Sequence, residues 1–152
     1  MLTIRPADLA AEDVRQLLAI HLAGMQANTP AGHVFALDLS GLQTPDVTVW
    51  TVRVDGLLAG IGALKALDAD SGEVKSMRTH PDHLRKGVAA ALLDHILDEA
   101  ATRGYHRVSL ETGIGESFEP ALALYRKRGF TNGAAFGDYA ASPFNQFLHL
   151  AF

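Results

Sequence analysis

The sequence predicts an α/β domain with a mixed sheet built around a central strand–helix–strand unit. Strand-like segments joined by tight-turn signals occupy the middle of the chain, and they predict an antiparallel meander. The most regular helical pattern lies between two further strands, which implies a parallel crossover. Because 152 residues with 48% hydrophobic side chains can bury one core, we expect a single domain over residues 1–152.

The N-terminal part predicts one short strand and one helix. Residues Leu2–Arg5 favour a strand, and apolar residues recur at helical spacing over Ala11–Ala27. The Asn-Thr-Pro sequence at 28–30 then ends the helical pattern. Residues 31–46 are ambiguous, because glycine and proline bracket their apolar side chains.

The meander comprises three predicted strands. Val47–Val54 is rich in β-branched residues, and Asp55-Gly56 is a strong signal for a hairpin turn. The chain returns over Leu58–Leu67, turns again at residues 68–72 and continues as the strand Glu73–Thr79.

The strongest helical pattern follows the meander. Pairs of apolar residues repeat every four positions from Val88 to Ala101, and Gly104 stands where a C-terminal cap belongs. The next strand, Arg107–Thr112, completes the strand–helix–strand unit.

The C-terminal part predicts one more helix and two short strands. Ser117 is expected to cap a helix that runs to Arg128, with Pro120 tolerated in its first turn and Gly129 ending it. Two strands follow Phe130, the last over residues 144–151.

The composition excludes several classes of chemistry. Thirteen Lys and Arg against 17 Asp and Glu give a net charge of −4, so nothing attracts the whole chain to nucleic acid or anionic lipid. The absence of cysteine excludes a thiol nucleophile, a zinc thiolate and a disulfide. His80 and His83 lack a third neighbouring ligand, so no metal site is expected. With neither a membrane span nor a secretory signal in the sequence, we expect a cytoplasmic location.

A candidate anion site lies in the loop before the strongest helix. Pro81 ends the preceding strand, and Arg85 and Lys86 lead directly into Gly87. The first N–H groups of a helix lack intrahelical partners and carry the positive end of its dipole, which suits a phosphate. The alternative is an ordinary helix start with exposed basic residues. Neither a Walker loop nor a dinucleotide fingerprint is present.

A second motif lies near the C-terminus and follows the strand that ends Leu110-Glu111-Thr112. It reads Leu124-Tyr125-Arg126-Lys127-Arg128-Gly129-Phe130. Together with the Gly-x-Ala helix start, in this order and spacing, it makes the chain resemble the GCN5-related N-acetyltransferase (GNAT) family over nearly its whole length. The resemblance implies an α+β fold with a mostly antiparallel sheet of six to seven strands and helices on both faces. It also implies acetyl-CoA as co-substrate and no metal.

The resemblance assigns cofactor contacts by position. It implies that residues 84–89 hold the pyrophosphate, that residues 77–79 pair through their backbone with the pantetheine arm, and that Tyr125 lies beside the thioester sulfur. The candidate cofactor-binding residues are Met77, Arg78, Thr79, Leu84, Arg85, Lys86, Gly87, Val88, Ala89 and Tyr125.

The chain departs from the family pattern at three of the aligned positions. Gly87 and Ala89 match the family's Gln/Arg-x-x-Gly-x-Gly/Ala loop. Leu84, however, stands where Gln or Arg is usual, and Arg85 stands where many members have Gly. Phe118 occupies a position often held by Asn, so one frequent contact to the cofactor is expected to be absent.

Acetyl transfer to an amine needs a neutral nucleophile and hence a base. A lysine-like amine is neutral at pH 7 in only about one molecule in 2500, which costs roughly 4.6 kcal/mol. Glu111 is the first candidate base, because it ends its strand on the face opposite Val108 and Leu110 and matches a glutamate of some amino-acetylating relatives. Glu73 is the second. The alternative for both is a solvated or salt-bridged strand residue.

The remaining catalytic roles follow from the same resemblance. Tyr125 is expected to protonate the departing thiolate or donate a hydrogen bond to it; the alternative is a half-buried core tyrosine. The backbone amide near Met77 is the candidate donor to the oxyanion. Without cysteine, we expect direct attack in a ternary complex.

The acceptor is the least defined part of the site. Asp138 beside Tyr139 suits a cationic acceptor, although a Gly137-Asp138 turn in a connecting loop explains the same residues. The candidate acceptor residues, in the segments that flank the acceptor cleft of this fold, are His33, Asp38, Asp138, Tyr139 and Ser142.

The sequence therefore predicts an acetyl-CoA-dependent N-acetyltransferase that acts on a primary amine of a small molecule or protein. The alternative is a catalytically silent GNAT-like domain that binds acyl-CoA as a sensor, which Leu84 and Phe118 keep open. Nucleic-acid binding is disfavoured by the acidic total and by the lack of an aromatic platform. The family resemblance leaves a homodimer open.

Overall fold

The computed structural model describes residues 1–32 and 38–152 and, within them, forms one sheet of seven strands in the order β1-β2-β3-β4-β5-β7-β6. Neighbouring strands run antiparallel except β4 and β5, which are parallel. The strands are β1 (Leu2–Pro6), β2 (Val47–Val54), β3 (Leu57–Ala66), β4 (Ser71–Thr79), β5 (Arg107–Gly113), β6 (Thr131–Gly133) and β7 (Asn145–Ala151). The α-helices are α1 (Glu12–Asn28), α2 (Leu39–Leu42), α3 (Val88–Thr102) and α4 (Glu119–Lys127).

Helices cover both faces of the sheet, as expected. On one face α1 buries Val14 and Leu17 against Val49 and Ile61. On the other face α3 and α4 pack over the second core cluster, which includes Leu92, Ile96, Leu122 and Leu110. The parallel β4–α3–β5 crossover confirms the strand–helix–strand unit.

Two turns form where the sequence places them. Asp55 and Gly56 both have positive φ, and they connect β2 and β3 with Val54 facing Leu57, as a tight hairpin requires. Gly104 follows the end of α3 with a φ of 81°, the left-handed conformation that favours glycine at this place.

The start of α4 differs from the expectation. Gly115, with a φ of 125°, begins a short 3₁₀ turn over Glu116–Phe118, and Phe118 N–H donates to Gly115 O. Ser117 lies inside that turn, so it does not cap the helix, and α4 begins after Phe118 without a side-chain cap. The predicted Ser117 cap is therefore wrong, whereas Pro120 does lie in the first helical turn.

A wedge opens between β4 and β5. Their pairing is confined to Ser71–Glu73 against Arg107–Ser109, after which β5 stays with β7 and β4 stays with β3. A bulge at Ser76, which has a φ of 57°, shifts the register of β4 against β3 by one residue. The backbone edge of β4 that would have faced β5 is therefore left without a strand partner among the described residues.

The bulge also sets which side chains share a face. Val74 packs in the α3 cluster, so Glu73 and Lys75 point to the opposite, α1-facing side of the sheet. Because the bulge adds a residue, Arg78 also points to the α1 side, where it contacts His21. Three charged side chains of one strand thus lie on one face of the wedge.

Candidate active site

A single cavity of about 520 Å³ fills the wedge between β4 and β5. Helix α1 contributes His21, Gly24, Met25 and Asn28 to its wall, and α3 and α4 line it from the other face of the sheet. Cavities at the carboxyl ends of parallel strands are common binding sites in α/β folds.

Most of the expected cofactor residues lie on this cavity. Lys86 and Gly87 are the two that do not line it, although they immediately precede α3. The candidates on the wall are Met77, Arg78, Thr79, Leu84, Arg85, Val88, Ala89 and Tyr125.

The loop before α3 has the backbone of an anion cradle. Arg85 and Gly87 both adopt left-handed conformations, with φ of 62° and 77°. Gly87 is the N-cap of α3 and supplies no side-chain hydrogen bond, and the first turn of α3 contains no acidic residue. The first N–H groups of α3 therefore remain free to bind an anion. The positive φ at Arg85 also explains why a glycine suits this position.

A carboxylate cluster lies on the α1-facing side of the wedge. Glu73 is 3% exposed, and its Oε2 accepts hydrogen bonds from Tyr139 Oη at 2.6 Å and from Lys75 Nζ at 3.2 Å. Lys75 Nζ also donates to Tyr139 Oη at 2.6 Å. Burial, reinforced by the Glu73 carboxylate, holds the pKa of Tyr139 well above its usual range.

Glu111 lines the cavity beside this cluster. Burial raises the pKa of the Glu111 carboxyl to about 7; the Lys75 ammonium opposes this shift and the Glu73 carboxylate adds to it. A side-chain hydrogen bond with Asn145 also favours the ionised form. Glu111 is thus close to half ionised at neutral pH, which is the property a general base needs.

Tyr125 lies on the opposite wall, on α4. It is 7% exposed and stacks edge-to-face on Phe130 with ring centroids 5.8 Å apart. Burial raises the pKa of Tyr125 to about 12, so the phenol is protonated at every physiological pH. Its hydroxyl makes no hydrogen bond to any part of the chain that the structure describes.

The expected acceptor residues are not brought together. Asp38 caps α2 by accepting from Gly41 N at 2.9 Å, and it does not line the cavity. Asp138 is exposed in a turn, which agrees with the alternative that Gly137-Asp138 is a turn of a connecting loop. The Ser142 hydroxyl donates a hydrogen bond to Asn145. Tyr139 alone among the described candidates touches the carboxylate cluster. His33 lies outside the described residues.

Sequence reasoning missed Lys75 and His21. Lys75 alternates with Glu73 along β4, so its presence on the same face was readable from the strand period. His21 follows Leu17 by four residues and Leu18 by three, which places it on the buried face of α1. A histidine on the apolar face of a predicted helix is the feature from which this buried polar group could have been predicted.

Neither a metal-binding cluster nor a membrane-spanning helix occurs among the described residues. Among residues 1–32 and 38–152, no group of three His, Asp or Glu side chains is arranged to hold a metal ion. None of the helices in the described part is both long and apolar enough to cross a membrane.

The fold and the cavity agree with the result of comparing the sequence with protein families. The family model of the acetyltransferase (GNAT) family matches residues 11–130, and the chain belongs to that family of acetyltransferase enzymes. It is 47% identical to YedL of Escherichia coli K12, an uncharacterized N-acetyltransferase, over 99% of this chain and 94% of the relative.

Solved structures agree with the fold. A putative acyl-CoA N-acyltransferase of Klebsiella pneumoniae superposes with a TM-score of 0.82 and 28% identity, covering 99% of this chain and 97% of that one. An acetyltransferase of Bacillus subtilis, solved in complex with CoA, superposes with a TM-score of 0.74 at 18% identity, covering 100% and 99% of the two chains.

Proposed function

We propose that this chain is an acetyl-CoA-dependent N-acetyltransferase that moves an acetyl group to a primary amine. The observation that carries the proposal is that Glu111 and Tyr125 line opposite walls of one cavity. Burial raises the pKa of the Glu111 carboxyl to about 7 and that of the Tyr125 phenol to about 12, which suits a base and a hydrogen-bond donor. That cavity extends to the loop before α3, where an anion would bind.

The residues at the cavity fit coenzyme A in three respects. Ser76 Oγ is buried beside the cavity and has no hydrogen-bond partner among the described residues, so it has capacity for a polar ligand atom. The open edge of β4 can accept an extended chain as an added strand. The free N–H groups of α3, with Arg85 on the wall, suit a pyrophosphate.

Glu111 acts as the base in this proposal. Its pKa of about 7 lets it accept a proton from the attacking amine directly or through one water, and still be ionised in half of the molecules at pH 7. Glu73 accepts hydrogen bonds from Tyr139 and Lys75, so it serves better as a fixed neighbouring carboxylate that adds to the rise in the Glu111 pKa caused by burial.

Tyr125 acts as a hydrogen-bond donor. A phenol with a pKa of about 12 lies some 3.5 pK units above a reference thiol of about 8.5, so full proton transfer to a thiolate costs about 5 kcal/mol. A hydrogen bond from the hydroxyl to the leaving sulfur avoids that cost and still stabilises the developing charge.

The reaction then balances without a covalent enzyme intermediate. The acceptor nitrogen forms a bond to the acetyl carbon while the carbon–sulfur bond breaks. Glu111 takes the proton that the amine loses, and the sulfur takes a proton from solvent. The Met77 amide, next to the bulge at Ser76, is the proposed donor to the carbonyl oxygen.

Two measurements test the proposal. Titration calorimetry with CoA should give saturable binding, and a thiol-release assay with acetyl-CoA and a panel of amines should give turnover with at least one acceptor. Binding without turnover on any amine would instead favour the acyl-CoA sensor. An absence of CoA binding would overturn the proposal.

A further inference from the structure

The side chain of Arg78 crosses the cavity from β4 to α1. Its Nε donates to His21 Nδ1 at 3.0 Å, and its Nη2 approaches the His21 carbonyl oxygen at 3.4 Å. Gly24 makes this crossing possible, because a Cβ at that position would lie 2.9 Å from Arg78 Nη2.

The guanidinium has no acidic partner. No ion pair or carboxylate hydrogen bond involves Arg78 anywhere in the described ranges, and its two contacts are both to His21. Burial, together with the nearby Arg78 charge, lowers the pKa of His21 to about 4, so the imidazole is neutral and its Nδ1 accepts the hydrogen bond from Arg78. By contrast, the other cation on this face, Lys75, is paired with Glu73.

A partly buried cation without a counter-charge is costly unless a ligand supplies one. Arginine has five N–H donors in a planar fork, and Arg78 uses two of them on His21. The Nη1 group makes no hydrogen bond within the described residues, and Arg78 lines the cavity. A planar fork of this kind matches a carboxylate.

Arg78 lies on the side of the wedge where the acceptor amine is expected to bind. It follows Met77, the proposed donor to the thioester carbonyl, and it lies on the same α1-facing side of the wedge as Glu73. An anion bound by Arg78 would therefore belong to the molecule whose amine approaches from that side.

A singly charged anion suits this face better than a dianion. Arg78 offers one unpaired positive charge, Glu73 is paired with Lys75, and Glu111 adds negative charge to the same wall when it is ionised. A phosphate dianion would be only half neutralised by one guanidinium and would be repelled by an ionised Glu111. A carboxylate would be neutralised by Arg78 alone.

We propose that Arg78 binds the carboxylate of the acceptor, so that the acceptor class is a small amine that also carries a carboxylate, such as a free amino acid. This inference rests on the proposed function. It adds a specificity-determining role for the Arg78 side chain, separate from the backbone role that the family resemblance gives residues 77–79.

Matched substrate pairs test the proposal. Thiol release is measured with free amino acids, with their primary amides and with the corresponding aminophosphonates, and a C-terminally amidated peptide gives a fourth arm. We expect kcat/KM to favour the carboxylates over the amides by at least tenfold. Preference for the amide, the phosphonate or the amidated peptide would overturn the proposal.

Variants assign the preference to the side chain. Arg78→Gln should lower kcat/KM for the carboxylate about ten- to hundredfold, leave the amide nearly unchanged and leave the KM for acetyl-CoA unchanged. Arg78→Lys should keep part of the preference, and the control Arg5→Gln, which removes an exposed charge on β1, should keep the wild-type ratio in full. An Arg78→Gln enzyme that keeps the wild-type ratio would contradict the assignment.

A binding measurement separates this inference from the proposed function. Calorimetry of the wild-type protein with saturating CoA should show tighter binding of an amino acid than of its amide. If no amine is turned over but this difference is seen, the transferase proposal fails and the carboxylate site stands. If amines are turned over with no difference between carboxylate and amide, the carboxylate site fails alone.

Discussion

Tyr139 Oη donates a hydrogen bond of 2.6 Å to Oε2 of the buried Glu73, 66 residues away in the chain. The bond ties the loop between β6 and β7 to the middle of β4, and Lys75 joins both groups. These hydrogen bonds satisfy a carboxylate that would be costly to bury alone. Burial is the main cause of the raised pKa of Glu111, and the Glu73 carboxylate adds to it, so a loop that sequence patterns describe only as a turn holds one of the groups that act on Glu111.

Tyr139→Phe removes this hydrogen bond and keeps the ring. We expect a loss of about 1–3 kcal/mol in the free energy of unfolding, because the phenol donates to a charged acceptor that is buried. Tyr139→Leu should cost more, since it also removes the ring contacts with Phe136 and Phe147. Urea titration measures both variants; a Phe variant as stable as the wild type would show that the bond contributes nothing.

The stability of the protein should depend on pH through two opposing groups. Glu111 has a pKa of about 7 in the fold and 4.5 as a free side chain, so the folded state binds more protons between these values and its stability falls as pH rises through them. His21 has a pKa of about 4 in the fold and 6.5 as a free side chain, so its contribution to stability rises with pH from about 4 to 6.5. Each contribution is about 3 kcal/mol.

Single substitutions should separate the two contributions. Glu111→Gln should leave a stability that rises with pH between about 4 and 6.5, and it should be more stable than the wild type at pH 8. His21→Gln should leave a stability that falls between about pH 4.5 and 7. Denaturant titrations at half-unit pH intervals give both curves. Variants with the same pH dependence as the wild type would contradict these assignments.

Tyr125→Phe should lower kcat about ten- to hundredfold and leave the Kd for CoA nearly unchanged. The substitution removes only the hydroxyl from a buried ring that stacks on Phe130, so the fold should be kept. Single-turnover thiol release and calorimetry with CoA measure the two quantities. A fall in CoA affinity with unchanged kcat would assign Tyr125 to binding instead.

Two substitutions at Arg85 separate its charge from its backbone. Arg85→Ala and Arg85→Gly both remove the cation from the cavity wall, so both should raise the KM for acetyl-CoA several-fold. Because residue 85 has a positive φ, the Gly variant should be about 1 kcal/mol more stable than the Ala variant. Lys127→Ala, which removes an exposed charge off the cavity wall, is the control for KM. Equal stability of the two variants would show that the conformation carries no strain.

The elements and the family motifs were accessible from the sequence because they rest on local patterns. The Asp55-Gly56 turn, the apolar period of α3 and the Gly87 helix start each depend on a few neighbouring residues. The prediction that Ser117 caps α4 was wrong, because a 3₁₀ turn that begins after Gly115 precedes the helix and contains Ser117.

The arrangement of the site was not accessible in the same way. The bulge at Ser76 has no residue signature, yet it puts Arg78 on the same face as Glu73 and opens the wedge. The Glu73–Tyr139 and Arg78–His21 contacts join distant segments, which no spacing rule links. The single domain, the cytoplasmic location and the homodimer stay predictions.

The pH dependence of kcat/KM tests most directly whether Glu111 is the base. In the wild type we expect activity to fall about tenfold per pH unit below a break near pH 7, because protonation of Glu111 removes the base. Glu111→Gln should lower the rate by about 10²–10⁴ and should abolish the break. A Glu111→Gln enzyme that retains both the wild-type rate and the break near pH 7 would place the base elsewhere and contradict the mechanism.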